Sequence, residues 1–252
     1  MGNAFTLVVG LPLQIYVARI LGADGVGAFG LFEAAMMGIA DLLALGIAPV
    51  LVQFIPKYVE QGRFGLLRRL LRQGLIAITL IGLAGFGFTA LAGLALWQSL
   101  GLDAAHRLDV VLMTLLIPLS LIGYALQQAL RGFMEFRHIV IGQSVLQLCV
   151  KALVTVALLS AGLGLTGYII AVVTANLFST GWLAYGLAGR MHDVPASDAG
   201  DEGAARQEWL RYAFYIHFAN ILSIITGRLD RFVLGAATGV AAVGVASAVA
   251  SL

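Results

Sequence analysis

The polar positions of this chain fall in short clusters, and between them the sequence is almost continuously apolar. Residues 74–102 carry no charged side chain, and further uncharged runs occupy 1–18, 110–130 and 152–189. About 20 such residues cross the roughly 30 Å hydrocarbon core of a bilayer as a helix. The pattern predicts helices at 4–21, 27–55, 74–99, 109–132, 139–162, 164–189 and 211–230, with an eighth apolar segment from about 240 to Leu252. A β-barrel would alternate apolar and polar residues over strands of about 10 residues. The stretch IAITLIGLAGFGFTALAGLALW (76–97) does not alternate. Only helices and closed barrels satisfy their backbone polar groups in lipid. The expected fold is therefore an all-α, polytopic integral membrane bundle.

Composition agrees: 60% of residues are hydrophobic and 11% charged, with a mean hydropathy of +0.96. Soluble domains carry about 25% charged residues. The 31 glycines, and small residues spaced by four such as Gly85, Thr89 and Gly93, suit close helix packing. The formal net charge of +2 sits mostly in loops and offers nothing to nucleic acid. Cys149 is the one cysteine, so no intramolecular disulfide forms. No charged side chain precedes Arg19, so no signal peptide is read, and helix one is expected to begin almost at Met1 and to lack its true start.

Loop charge sets orientation. Lys57, Arg63, Arg68, Arg69 and Arg72 follow helix two, Arg131 and Arg137 follow helix four, and Arg190, Arg206 and Arg211 follow helix six. The alternate loops hold only Arg107. The N-terminus and the loops at 56–73, 131–138 and 190–210 are thus expected in the cytoplasm, against which Arg19, at the outer end of helix one, stands out. The stretch 64–73 alternates basic and apolar residues at helical spacing and is expected to lie on the membrane surface against anionic lipid. Segment 190–210 holds five acidic residues and Pro195 and reads as a cytoplasmic linker. It separates a six-helix N-terminal lobe (1–189) from the first part of a second lobe (211–252). A loose repeat supports that division: LGADGVGAFG (21–30) returns as LGAATGVAAVGVAS (234–247), each preceded by an arginine, Arg19 or Arg231.

Three short stretches carry a family resemblance. They are Ala18-Arg19-Ile20-Leu21-Gly22 with Gly25, Gly27 and Phe29-Gly30; Gln128, Arg131-Gly132-Phe133 and Phe136; and Asp230-Arg231-Phe232-Val233-Leu234-Gly235 with Val243-Gly244. With the order and spacing of the helices, the chain resembles the oligosaccharide flippases of the MOP superfamily, the polysaccharide-biosynthesis membrane proteins that export O-antigen and capsule units. That family has about twelve to fourteen helices in two six-helix lobes. The resemblance implies a multi-pass protein of the cell (inner) membrane that moves lipid-linked oligosaccharides of the polyprenyl pyrophosphate type by alternating access. It also implies contact with membrane lipids and glycan-assembly membrane proteins as neighbours. In that family, cationic groups lining the central cavity meet the pyrophosphate, which points to Arg19, Arg228 and Arg231. An arginine fork matches phosphate oxygens bidentately, whereas the ordinary alternative for each is an interfacial anchor.

Charged or polar groups at membrane depth are costly and mark functional candidates. Gln143, Gln147, Lys151 and Thr155 recur every four residues on one broad face of helix five. Helix four carries Ser120, Tyr124, Gln128 and Arg131, helix six Asn176 and Thr180, and helix seven His217, Asn220 and Ser223. Gln143, Gln147, Lys151 and Asn220 are substrate-binding candidates; the alternative is interhelical hydrogen bonding, or for Lys151 a carboxylate partner on helix two. Glu33 and Asp41 lie about 80° apart around helix two. They are candidates for ion coupling, which leaves a drug or small-molecule antiporter of the same superfamily open, or for structural pairing with Lys151 or Arg19. Pro12, Pro49 and Pro118 fall inside helices as kink points. The four histidines are scattered and there is neither an HExxH motif nor a P-loop. No catalytic residue, metal site or cofactor is expected, and the chain is read as a non-enzyme. A long polar outer loop would favour the remaining rival, a membrane-embedded glycan polymerase, and the predicted outer loops are about ten residues or fewer.

Overall fold

The computed structural model describes residues 2–99, 107–192, 194–195, 203, 205–220 and 222. Among them all regular structure is helical. The elements are α1 (Gly2–Leu43), α2 (Ile47–Glu60), α3 (Phe64–Ser99), α4 (Arg107–Thr114), α5 (Leu116–Gly132), α6 (Phe136–Ile139), a π-helical segment (Val140–Leu146), α7 (Gln147–Ser160) and α8 (Gly164–His192). Residues 205–220 form a further helix, α9.

Five stretches are long and apolar enough to span a membrane: Gly25–Leu43, Phe64–Gly93, Leu108–Gly132, Phe136–Ser160 and Gly164–His192. The shorter apolar helix Val8–Gly22 precedes them. The chain is therefore an all-α, multi-pass membrane bundle. The eighth apolar segment, the second copy of the repeat and the end of helix seven lie outside the described residues.

The helices differ from the expected ones where local chemistry breaks them. Helices one and two run together as α1, interrupted only at Gly22, whose φ of 70° and ψ of 177° are non-helical. Helix two does not continue to residue 55. It stops at Leu43, and Leu45 (φ 47°) and Gly46 (φ 67°) turn the chain before α2 begins. Pro49 therefore sits in the first turn of α2, where a missing N–H costs nothing, and it is not a kink.

Helix three starts ten residues earlier than hydropathy suggests. The stretch 64–73 is not a surface helix: it forms the first turns of α3, with Leu66, Leu67, Leu70 and Leu71 buried. Basic residues on its other face hid these four leucines from a hydropathy reading. Helix four is continuous through Leu115, whose dihedrals stay helical, but it loses one bond there, as expected of a kink point, because Pro118 cannot donate to the carbonyl of Thr114 and its ring crowds that group. Helix five widens into the π segment.

α5 is the central post, packing against α1, α2, α3 and α8. Two apolar cores stack along it. One joins α2, the start of α3, α5 and the end of α8; the other joins α1, α4, α7 and the start of α8. Glycines allow the close crossings: Gly132 lies against Ile55, Gly82 against Pro118 and Gly186 against His138.

Part of the 190–210 stretch, with the start of the helix that follows it, packs on the bundle. Val194, Ala205, Trp209 and Ala213 are buried in the first core. An Arg68 guanidinium nitrogen donates to the Val194 carbonyl, and Arg190 pairs with Glu135. Lys57 pairs with Glu208 at 2.8 Å. The three arginine-rich loops thus meet at one end of the bundle.

Candidate functional site

The polar stripe of helix five divides between two neighbours. In a π turn the bonding is i→i+5, so residues four apart no longer stack. Gln143, inside the π segment, accepts a hydrogen bond from Gln127 Nε2 of α5 at 3.0 Å. Gln147, one turn on, donates to Asn176 Oδ1 of α8 at 3.2 Å, and Asn176 donates in turn to the Val172 carbonyl. Lys151 is half-buried, its Nζ 5.3 Å from the centre of the Tyr168 ring. An aromatic face, rather than a carboxylate, offsets part of its desolvation. Thr155 is fully buried, and its Oγ1 has no hydrogen-bond partner among the described residues. This arrangement ties α5, α7 and α8 together inside the lobe.

The remaining candidates are dispersed. Arg19 and Asp41 are exposed on α1, Glu33 is half-buried, and Asn220 is exposed at the end of α9. Among the described residues no hydrogen bond or ion pair joins Arg19, Glu33, Asp41 or Asn220 to one another or to Lys151. Arg228 and Arg231 lie outside the described residues. No group of three or more His, Cys, Asp or Glu side chains among the described residues could hold a metal.

A concave site does form, between α2 and α9. Gln53, Phe54 and Lys57 line one wall; Glu208, Arg211, Tyr212 and Tyr215 line the other, around about 510 Å³. The α9 positions recur at i, i+3, i+4 and i+7, and on α2 Gln53 and Phe54 precede Lys57 by four and three residues, so each set occupies one helix face. Lys57 Nζ lies 2.8 Å from Glu208 and 5.2 Å from the centre of the Phe54 ring. Tyr212 meets Phe54 edge-on, with ring centroids 5.6 Å apart at 86°. Behind this wall, Trp209 Nε1 donates to Tyr58 Oη at 2.6 Å. Burial pushes the Tyr58 phenol above its ordinary pKa, against the opposing hydrogen bond from Trp209.

Arg211, Lys57 paired with the Glu208 carboxylate, an amide and several aromatic rings around one hollow suit a ligand with both an anionic part and flat apolar faces, as a sugar phosphate has. Neither Lys57 nor Arg211 is evident as a site residue from sequence, where both count only as loop charges. Their helix spacing relative to Phe54, Tyr212 and Tyr215 is the available signal, but only docking of α9 on α2 makes those two faces meet.

The sequence profile of the family described as "Polysaccharide biosynthesis protein" matches residues 1–252. The chain belongs to that family. No curated protein sequence matches it. Its fold is that of the MOP-superfamily transporters. The crystal structure of a MATE carrying a proline-to-alanine mutation aligns with a TM-score of 0.74 at 20% identity, covering 98% of this chain and 56% of the other. A MATE in complex with Br-NRF aligns at 0.62 and 18% identity, covering 98% and 59%. A MOP superfamily transporter from Pyrococcus furiosus, described as having a binding pocket of reversed polarity, aligns at 0.66 and 18%, covering 98% and 56%. The chain thus spans a little over half the length of the solved structures it matches.

Proposed function

We propose that this member of the polysaccharide biosynthesis family, in its complete form, translocates lipid-linked oligosaccharides across the inner membrane by alternating access of two lobes. Residues 1–189 supply the first lobe and 211–252 begin the second, with the N-terminus in the cytoplasm. Membership of the family over the whole chain is the observation that carries this reading. The hollow between α2 and α9 supports it, because Arg211, and Lys57 on exchanging Glu208 for the ligand, offer cations to a pyrophosphate while Tyr212 and Tyr215 offer faces to sugar rings. Arg19 on α1 does not line this hollow and is a separate candidate for the head group, with Arg228 or Arg231 across the lobe interface. The antiporter reading has weaker support: among the described residues no ion pair or hydrogen bond joins Glu33 or Asp41 to each other or to Lys151 in a shared coupling site.

The test is complementation of a flippase-deficient strain by the complete gene. Wild type should restore surface glycan, and Lys57→Gln with Arg211→Gln should abolish it at normal expression. Arg19→Lys should be costly if the fork grips phosphate, and normal export by Arg19→Ala would reduce Arg19 to an interfacial anchor. Failure of wild type to restore glycan, together with export of cationic dyes, would overturn the flippase in favour of the antiporter.

A further inference from the structure

A second pocket, of about 630 Å³, opens on the other side of α9, between α9, α2 and α3. Its two long walls repeat one order of residues. On α3, Arg72 is followed at four-residue steps by Ile76 and Leu80; on α9, Arg206 is followed by Leu210 four residues on and Ala213 three further. Side chains spaced this way lie above one another on a helix face. Each wall therefore carries a guanidinium at the loop end and an aliphatic strip running away from it.

The depth is informative. Arg72 lies in the last turn before the uncharged stretch of α3, and Leu80 is about 12 Å further along the axis. That is close to one leaflet, half of the roughly 30 Å hydrocarbon thickness. Ala213 closes the groove against the core, but the other strip residues stand open: Ile76 is 53% exposed, Leu80 62% and Leu210 61%. Among the described residues, neither Arg72 nor Arg206 enters an ion pair. Two cations at interface depth above an open apolar groove of leaflet length complement a molecule with a phosphate head and an acyl tail.

We infer that this groove binds an anionic phospholipid of the leaflet on the arginine-bearing side, with its phosphate between Arg72 and Arg206 and an acyl chain along Ile76, Leu80 and Leu210. The lipid would bridge α3 to α9, and so the first lobe to the start of the second. This site is separate from the oligosaccharide hollow and stands whether or not that reading holds.

Native mass spectrometry of the complete, delipidated protein titrated with phosphatidylglycerol or phosphatidylcholine tests it. Phosphatidylglycerol should give the more persistent adduct. Arg72→Gln with Arg206→Gln should weaken that adduct roughly tenfold or more, since each basic group near a surface contributes about a fivefold preference for anionic lipid. Arg131→Gln with Arg137→Gln, on another loop, should leave it unchanged. A phosphatidylglycerol carrying a photoreactive acyl chain should label the peptides holding Ile76, Leu80 or Leu210. If the double arginine variant fails to fold, Leu80→Trp fills the groove without touching the arginines and should remove the adduct. Equal binding of both lipids, full competition by inorganic phosphate, labelling confined to other helices, or an adduct that survives Leu80→Trp would each overturn the site.

Discussion

Residue by residue, the tightest constraint is Gly46. Its φ of 67° is left-handed, and a Cβ there would lie 2.2 Å from the Ala213 carbonyl oxygen of α9. Gly46→Ala should therefore cost at least about 1–3 kcal/mol from the backbone alone, and more from the displaced α9. Gly30→Ala is the control, because a Cβ at that helical position meets nothing within 4 Å and should be neutral or stabilising by up to about 1 kcal/mol. Thermal unfolding of the two variants in detergent separates them, and equal melting would refute the contact. The sequence shows Gly46 as one of many glycines, since the residue it touches is far along the chain. Lys151 was legible as a costly cation at membrane depth, whereas its Tyr168 partner was not, because ring faces leave no periodic trace.

At the scale of elements, hydropathy locates the spans well and their interruptions poorly. An apolar run looks the same whether the helix continues through Ala44-Leu45-Gly46 or turns there. The π segment likewise has no compositional mark, so the Gln143–Gln147–Lys151–Thr155 stripe reads as one face when it serves two. If Gln127 and Gln143 act as a structural pair, a double-mutant cycle with leucine at both positions should give a coupling of about 0.6 kcal/mol; zero coupling would remove that role. The docking of α9 makes a larger claim. Trp209 is 7% exposed and bonded to Tyr58, so Trp209→Ala should cost about 3–5 kcal/mol. Trp209→Phe should lose only the hydrogen bond, about 1 kcal/mol. Tryptic cleavage after Arg206 and Arg211 should accelerate in the alanine variant and change little in the phenylalanine one.

For the whole molecule, the order of helices and the grouping of basic loops were legible, since both follow from the cost of charge in lipid. The contacts among those loops were not: Lys57–Glu208 and Glu135–Arg190 join segments far apart in sequence. They place the loops after helices two, four and six together at one end, and the basic excess predicts that this end faces the cytoplasm. In a Cys149→Ala background, an impermeant thiol reagent added outside should label Leu163→Cys and spare Gln61→Cys, both positions being exposed. The reverse pattern would invert the protein. The seating of Trp209 and Ala213 also bears on how the gene could be divided. A first half ending at residue 189 would be made with an empty socket between α2 and α3, and should be degraded or need its partner expressed beside it. A first half ending after residue 220 would carry its own plug, and should accumulate alone in the membrane.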